Sequence, residues 1–188
     1  MLIYTALGVA AIVVGIISYL PYYRDIFLLK TKPHAFSWFG WAFFSGIVFF
    51  AQLTSGAGAG AWVTGATAVL CLSIFLLSLK YGTTDRTNID WFALTASFVA
   101  AGLWYVTHDP LWSVVLVTLA TTFSFIPTFR KSFYNPRQET LSTYVLTMVK
   151  FALGILALQD FSITNWLFPA ASILTHGLFV GMVLWRRR

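Results

Sequence analysis

The sequence predicts an all-α integral membrane protein: seven transmembrane helices, arranged as two parallel three-helix repeats plus a linker helix. Composition, the placement of positive charge and an internal repeat carry that expectation. Of 188 residues, 59% are hydrophobic and 10% charged, with mean hydropathy +0.79, too little charge for a soluble domain of this size. A span needs about 20 apolar residues to cross a core roughly 30 Å thick. Seven stretches qualify, near 2–20, 36–54, 60–80, 91–107, 111–128, 141–159 and 165–185. The units are expected at 1–82 and 109–188, with the linker helix in 83–108. Connections this short leave no room for a catalytic lobe, so no enzyme is expected.

The stretch 2–20 lacks a basic leader and a small-residue cleavage site, and runs into a Pro-interrupted continuation, so it reads as a helix and not a signal peptide. The segment 55–61, SGAGAGA, reads as a tight connection whose small residues permit close helix approach. Cys71 is the only cysteine, which excludes an intramolecular disulfide and a cysteine metal cluster. Except for Lys150, all basic residues fall on one side of a seven-span topology: Arg24, Lys30 and Lys32; Lys80 and Arg86; Arg130, Lys131 and Arg137; and Arg186, Arg187 and Arg188. The net charge of +6 is therefore a positive-inside signal and not a nucleic-acid footprint. It places the N-terminus outside and the C-terminus in the cytoplasm, in the cell (inner) membrane. Trp38, Trp91 and Trp185 fall at inner ends and Trp62, Trp104, Trp112 and Trp166 at or near outer ends, with Trp41 about one turn deeper, so most read as an interfacial belt and not a binding cage.

The chain repeats itself. Residues 18–29, SYLPYYRDIFLL, align without a gap on 124–135, SFIPTFRKSFYN, matching Ser18 with Ser124, Pro21 with Pro127, Arg24 with Arg130 and Phe27 with Phe133. One residue out of register, Ser37 matches Ser142; a third register matches Trp62 with Trp166, Ala66 with Ala170 and Phe75 with Phe179. The stretch 91–107 has no counterpart. Three spans end on the opposite face, so a second unit in the same orientation needs this extra crossing.

A Pro near the inner end of each unit's first helix, a short basic loop and a Ser opening the next helix resemble the PQ-loop superfamily. The 3+1+3 layout is similar to its full-length members, the SWEET sugar transporters and PnuC vitamin transporters. Tyr22 and Thr128 stand where the PQ dipeptide has Gln. The resemblance implies a transporter whose hinges are Pro21 and Pro127; taken alone, these prolines equally mark where helices leave the bilayer. The substrate-contacting Asn of the sugar-transporting relatives has no equivalent in 62–80, and Asn165 lies too near the surface.

Lys150 lies at mid-helix, where a charge costs at least about 2.5–3.5 kcal/mol. Thr143, Thr147, Lys150 and Gly154 share one helical face, so Lys150 should face the bundle interior. No carboxylate shares its depth, so it is either neutral or awaits an anionic ligand. Its repeat counterpart is Ser45. His176, with Ser172 and Thr175, is also central; on 60–80 the matching polar face is Thr67 and Cys71. The candidate substrate-binding set is therefore Lys150, His176, Thr147, Thr175, Ser45, Thr67 and Cys71, with Lys150 and His176 the candidate proton relay. Each also has a bland reading, as a polar group satisfied within the core, and Gln52 reads as vestibule or core. His34, His108 and His176 lie at different depths, so no metal is expected, and no cofactor. The partners are a small-molecule substrate and the lipid bilayer, without nucleic acid. Oligomers are possible but unnecessary, since both units share one chain.

The first reading is a secondary transporter or facilitator for a small polar solute, sugar-like or anionic, working by alternating access. A seven-helix receptor, as in the KDEL receptor that this fold resembles, is the second. A Lys150 Schiff-base chromophore protein is the third.

Overall fold

The computed structural model describes residues 2–83, 87–107 and 110–188, with some side chains in 89–113 outside that description. The elements are α1 (Leu2–Phe27), α2 (Ala35–Thr54), α3 (Trp62–Tyr81), α4 (Asn88–Thr107), α5 (Pro110–Phe123), α6 (Ile126–Tyr134), α7 (Leu141–Leu156) and α8 (Ile163–Arg187). Short 3-10 turns at Gly58–Ala61 and Pro136–Gln138 precede α3 and α7. No strand occurs among the described residues. Four segments, Leu2–Phe27, Ala35–Thr54, Gly58–Tyr81 and Ile163–Arg187, are long and apolar enough to cross a membrane; Leu141–Leu156 is apolar but shorter.

The single helix expected over 111–128 is instead interrupted between Phe123 and Ile126. Pro127 supplies no N–H for the Phe123 carbonyl and clashes with that turn. The preceding turns are already loosened: Thr121, Thr122 and Ser124 return their hydroxyls to the carbonyls of Val117, Thr118 and Ala120 at 2.9, 2.9 and 3.0 Å. The Phe125 N–H then bonds the Thr122 carbonyl at 3.0 Å, a tightened turn that ends α5. By contrast, α1 continues through Pro21 to Phe27, past the boundary expected at residue 20.

Six helices form a closed ring of neighbours, α1–α3–α2–α5–α8–α7 and back to α1, while α4 packs outside on α5 and also touches α2 and α6. At one end the Thr83 N–H bonds the Pro33 carbonyl, Lys131 the Lys32 carbonyl and Arg186 the Phe133 carbonyl. This is the basic end. At the other end the 55–61 segment turns through Gly56 (φ 72°) and Gly58 (φ 59°), positive angles suited to glycine. There a Cβ on Gly8 would stand 2.8 Å from Ala59, so the small residues do bring α1 against this connection.

Two apolar clusters fill the ring. Tyr22, Ile26, Trp38, Phe125, Tyr144 and Phe179 pack toward the basic end, and Phe44, Val48, Val63, Val117, Phe151 and Phe168 toward the other.

Candidate functional site

A cavity lies between these clusters. Its wall takes residues from all six ring helices, and it offers about 40 Å³ to the centres of water-sized spheres. A water needs roughly 10–15 Å³ on that measure, so the cavity as it stands has room for a few waters. Ser45, Thr67, Cys71, Thr147, Thr175 and His176 are all on its wall. Six of the seven residues singled out for substrate binding thus converge from α2, α3, α7 and α8.

Sequence reasoning missed the α5 contribution, Thr118, Thr121 and Thr122. The signal was a run of hydroxyl residues in an otherwise apolar stretch. It also missed the aromatic wall. Trp38, expected in an interfacial belt, and Trp41, expected one turn deeper, are 2% and 6% exposed and line the cavity. Their indoles pack edge-on at 4.9 Å, and Trp41 lies 4.4 Å from the Phe125 ring, a packing gain no interface offers them. The belt reading fits Trp62, Trp91, Trp112 and Trp185, which are exposed. The Trp104 side chain, together with His108, Asp109, Asp85 and Arg86, lies outside the described residues.

Hydroxyl polarity defines what the wall can recognise. Thr67, Thr121, Thr122 and Thr175 all donate to the carbonyl one turn back, Thr67 and Thr175 at 2.7 Å. Their protons are committed, so they offer the cavity lone pairs. His176 Nδ1 lies 2.7 Å from the Ser172 carbonyl, which can only accept, so this nitrogen carries the proton and Nε2 is an acceptor in the neutral ring. Trp41 Nε1 is buried without a partner, as are the hydroxyls of Thr118 and Thr143. The wall therefore combines committed acceptors with the Trp41 indole donor and the uncommitted hydroxyls of Thr118 and Thr143.

Lys150 does not line the cavity. It is fully buried, its Nζ donating to Thr67 Oγ1 at 2.9 Å and Tyr19 Oη at 3.4 Å and lying 4.6 Å from the Tyr19 ring centre. Its stem runs over Gly15, where a Cβ would meet Lys150 Cδ at 3.4 Å. No carboxylate forms an ion pair with it among the described residues. Thr67 and Tyr19 stand between the amine and the cavity. Tyr19 Oη also contacts Cys71 Sγ at 3.3 Å, extending this line of polar groups across the first three-helix segment.

Buried polar ties close the basic end. Glu139 pairs with Lys131 and accepts from Tyr144 Oη at 2.9 Å; Tyr144 packs edge-on against Tyr22, whose oxygen accepts from Trp38 Nε1 at 3.3 Å. Burial pushes the Lys131 amine below its ordinary value, and the Glu139 carboxylate opposes that shift. Asp90, at the start of α4, accepts from Arg130 Nη2 at 2.8 Å and from the Thr87 N–H at 2.8 Å, with His34 Nε2 at 3.6 Å. Burial raises the Asp90 carboxyl, but Arg130, Thr87 and His34 together outweigh it and hold it below its usual value.

Pro21 lies inside unbroken α1 and Pro127 in the first turn of α6, just after the interruption. Gln52 is buried and donates to the Asn165 carbonyl at 2.9 Å, tying α2 to α8 at the end opposite the basic residues. No family model, curated protein or solved structure matches the chain.

Proposed function

We propose that this chain is an integral membrane transporter or facilitator for a small, uncharged polar solute, built on the PQ-loop plan of two parallel three-helix units joined by α4. The repeat predicts the equivalences α1 with α5, α2 with α7 and α3 with α8. The packing is unchanged under that exchange: α1·α3 corresponds to α5·α8, α2·α3 to α7·α8, and α1·α7 to α5·α2. Such a pattern fits units related by an axis along the ring. The positive residues at one end fit a cytoplasmic basic face, with the N-terminus outside.

The observation that carries the reading is the cavity itself, walled by both halves of the chain and flanked by an apolar cluster toward each end. This is the arrangement of a solute site between two gates, and its present size fits an occluded state without solute. Alternating access would come from movement of the halves about Pro21 and Pro127. An uncharged solute is favoured over an anion because the wall presents lone pairs, while Lys150 is shielded behind Thr67 and Tyr19.

The test is a thermal-shift screen of the detergent-purified protein against sugars, amides, nucleosides, amino acids and small carboxylates, with flux into proteoliposomes for any stabilising class. A neutral, donor-rich class is expected to stabilise wild type, with Thr147→Val weakening the effect. Stabilisation by carboxylates that Lys150→Met abolishes would overturn the uncharged class. Stabilisation without flux would replace the transporter with a receptor.

A further inference from the structure

We propose that a groove at the basic end, between the Pro136–Gln138 turn and the last turn of α8, binds the phosphate of an anionic phospholipid headgroup. The groove has a volume of about 290 Å³ and is lined by Tyr134, Asn135, Arg137, Gln138, Arg186 and Arg187, with Pro136. Its arginines are positioned groups. Arg187 donates through Nε to the Pro136 carbonyl at 3.0 Å and through Nη2 to the Glu139 carbonyl at 2.7 Å. Arg186 donates through Nε to the Phe133 carbonyl at 3.0 Å, with its guanidinium 4.5 Å from the Phe133 ring centre. These bonds leave each guanidinium with further N–H donors in a fixed plane, the geometry that suits phosphate oxygens.

Among the described residues, no carboxylate pairs with these arginines. Among the described acidic side chains at this end, Asp25 is held by Arg24 and Thr140, Asp90 by Arg130 and Thr87, and Glu139 by Lys131 and Tyr144. Asp160 bonds Asn165 at the opposite end. Arg137, Arg186 and Arg187 therefore form ion pairs with none of the described carboxylates, and an external anion is what the cluster lacks. Exposed aromatic rings identify the carrier. Phe133, Tyr134 and Trp185 flank the groove and are exposed, as amphipathic rings are at headgroup level. A lipid whose phosphate meets the arginines would lay its chains against these rings. The choice of a lipid over a free anion rests on the membrane reading; the phosphate chemistry does not.

The full-length protein in uncharged detergent would be titrated with dioleoylphosphatidylglycerol and dioleoylphosphatidylcholine, counting retained lipid by native mass spectrometry, and with inorganic phosphate as competitor. Phosphatidylglycerol should be retained in preference to phosphatidylcholine. Arg137→Gln and Arg186→Gln should each weaken it about fivefold, the effect of one basic residue at an anionic surface. Lys80→Gln, at the same end but outside the groove, should leave retention unchanged. Arg137→Gln removes no hydrogen bond seen in the fold, so it tests the site even where Arg186→Gln unfolds. Equal retention by both arginine variants, or equal weakening by Lys80→Gln, would overturn the site. Full competition by inorganic phosphate at matched concentration would overturn the headgroup assignment. Recovery of the protein from the soluble fraction would instead count against the membrane reading.

Discussion

The same short motif behaves differently in the two halves of the molecule. In α1, the Ser18–Pro21 segment stays within one helix from Leu2 to Phe27, and Ser18 alone bonds back, to the Gly15 carbonyl at 2.6 Å. In the second half, Ser124 and Pro127 bracket an interruption, after three side chains have each bonded a carbonyl one turn back. Proline thus sets where a helix is weak, and the hydroxyl residues before it decide whether it parts. The charged loops differ likewise: Arg24 pairs with Asp25 at the surface, whereas Lys131–Glu139 and Arg130–Asp90 are largely buried. The first half opens with a plain helix, the second with a jointed and clamped one.

The clamp gives the largest test of this contrast. Glu139→Ala leaves the buried Lys131 amine without its carboxylate partner and should destabilise the detergent-solubilised protein by about 3–5 kcal/mol, measured by denaturant unfolding. Next is the contact on the joint. A Cβ on Gly40 of α2 would overlap the Ser124 side chain, whereas one on Gly46 meets nothing within 4 Å. Gly40→Val should cost about 1–3 kcal/mol, and Gly46→Ala should gain up to about 1 kcal/mol; equal effects would remove the special packing at the joint.

A pH titration comes third. The native Asp90 carboxyl titrates below its unfolded value of 3.8, so the folded state binds fewer protons there than the unfolded one. Its stabilisation is present above that pH and is lost as pH falls through the lowered native value. Asp90→Asn should therefore lower stability at neutral pH and flatten the acid limb of melting temperature against pH.

The prolines follow. Pro21→Ala restores a donor inside a continuous helix and should stabilise by about 1 kcal/mol, while Pro127→Ala, in a first turn, should change little. A larger gain at Pro127 would mean that the joint is strained by its proline and not by its hydroxyls. Smallest is Arg24→Ala, worth about 0–1 kcal/mol for an exposed pair.

Much of the cavity wall could be read in the sequence because helical spacing survives packing. Thr143, Thr147, Lys150 and Gly154 were expected on one inward face, and all four are buried. The polar faces of α3 and α8 were legible for the same reason. The joint was not. Its cause lies in the coincidence of Pro127 with three side-chain bonds whose geometry depends on rotamers, and hydropathy is blind to rotamers. Trp38 was misplaced because tryptophan near a helix end suits an interface as well as a cavity wall, and only its partners Tyr19 and Tyr22 on α1 and Trp41 separate the two. Lys150 was correctly turned inward, but the screen of Thr67 and Tyr19 depends on contacts across three helices.

The lysine stem over Gly15 also has a mechanical consequence. It fills the space between α1 and α7, the more extensive of the two seams joining the halves. Sliding α1 along α7 would move the stem off that glycine and onto residues with side chains, so the contact favours one register of the two helices. The opposite seam, α2 against α5, holds the Gly40–Ser124 contact and the interrupted helix. If the halves rock as proposed, the packed seam at Lys150 is the part that moves least. Any opening of the cavity should then be widest beside Trp41 and narrowest beside Tyr19.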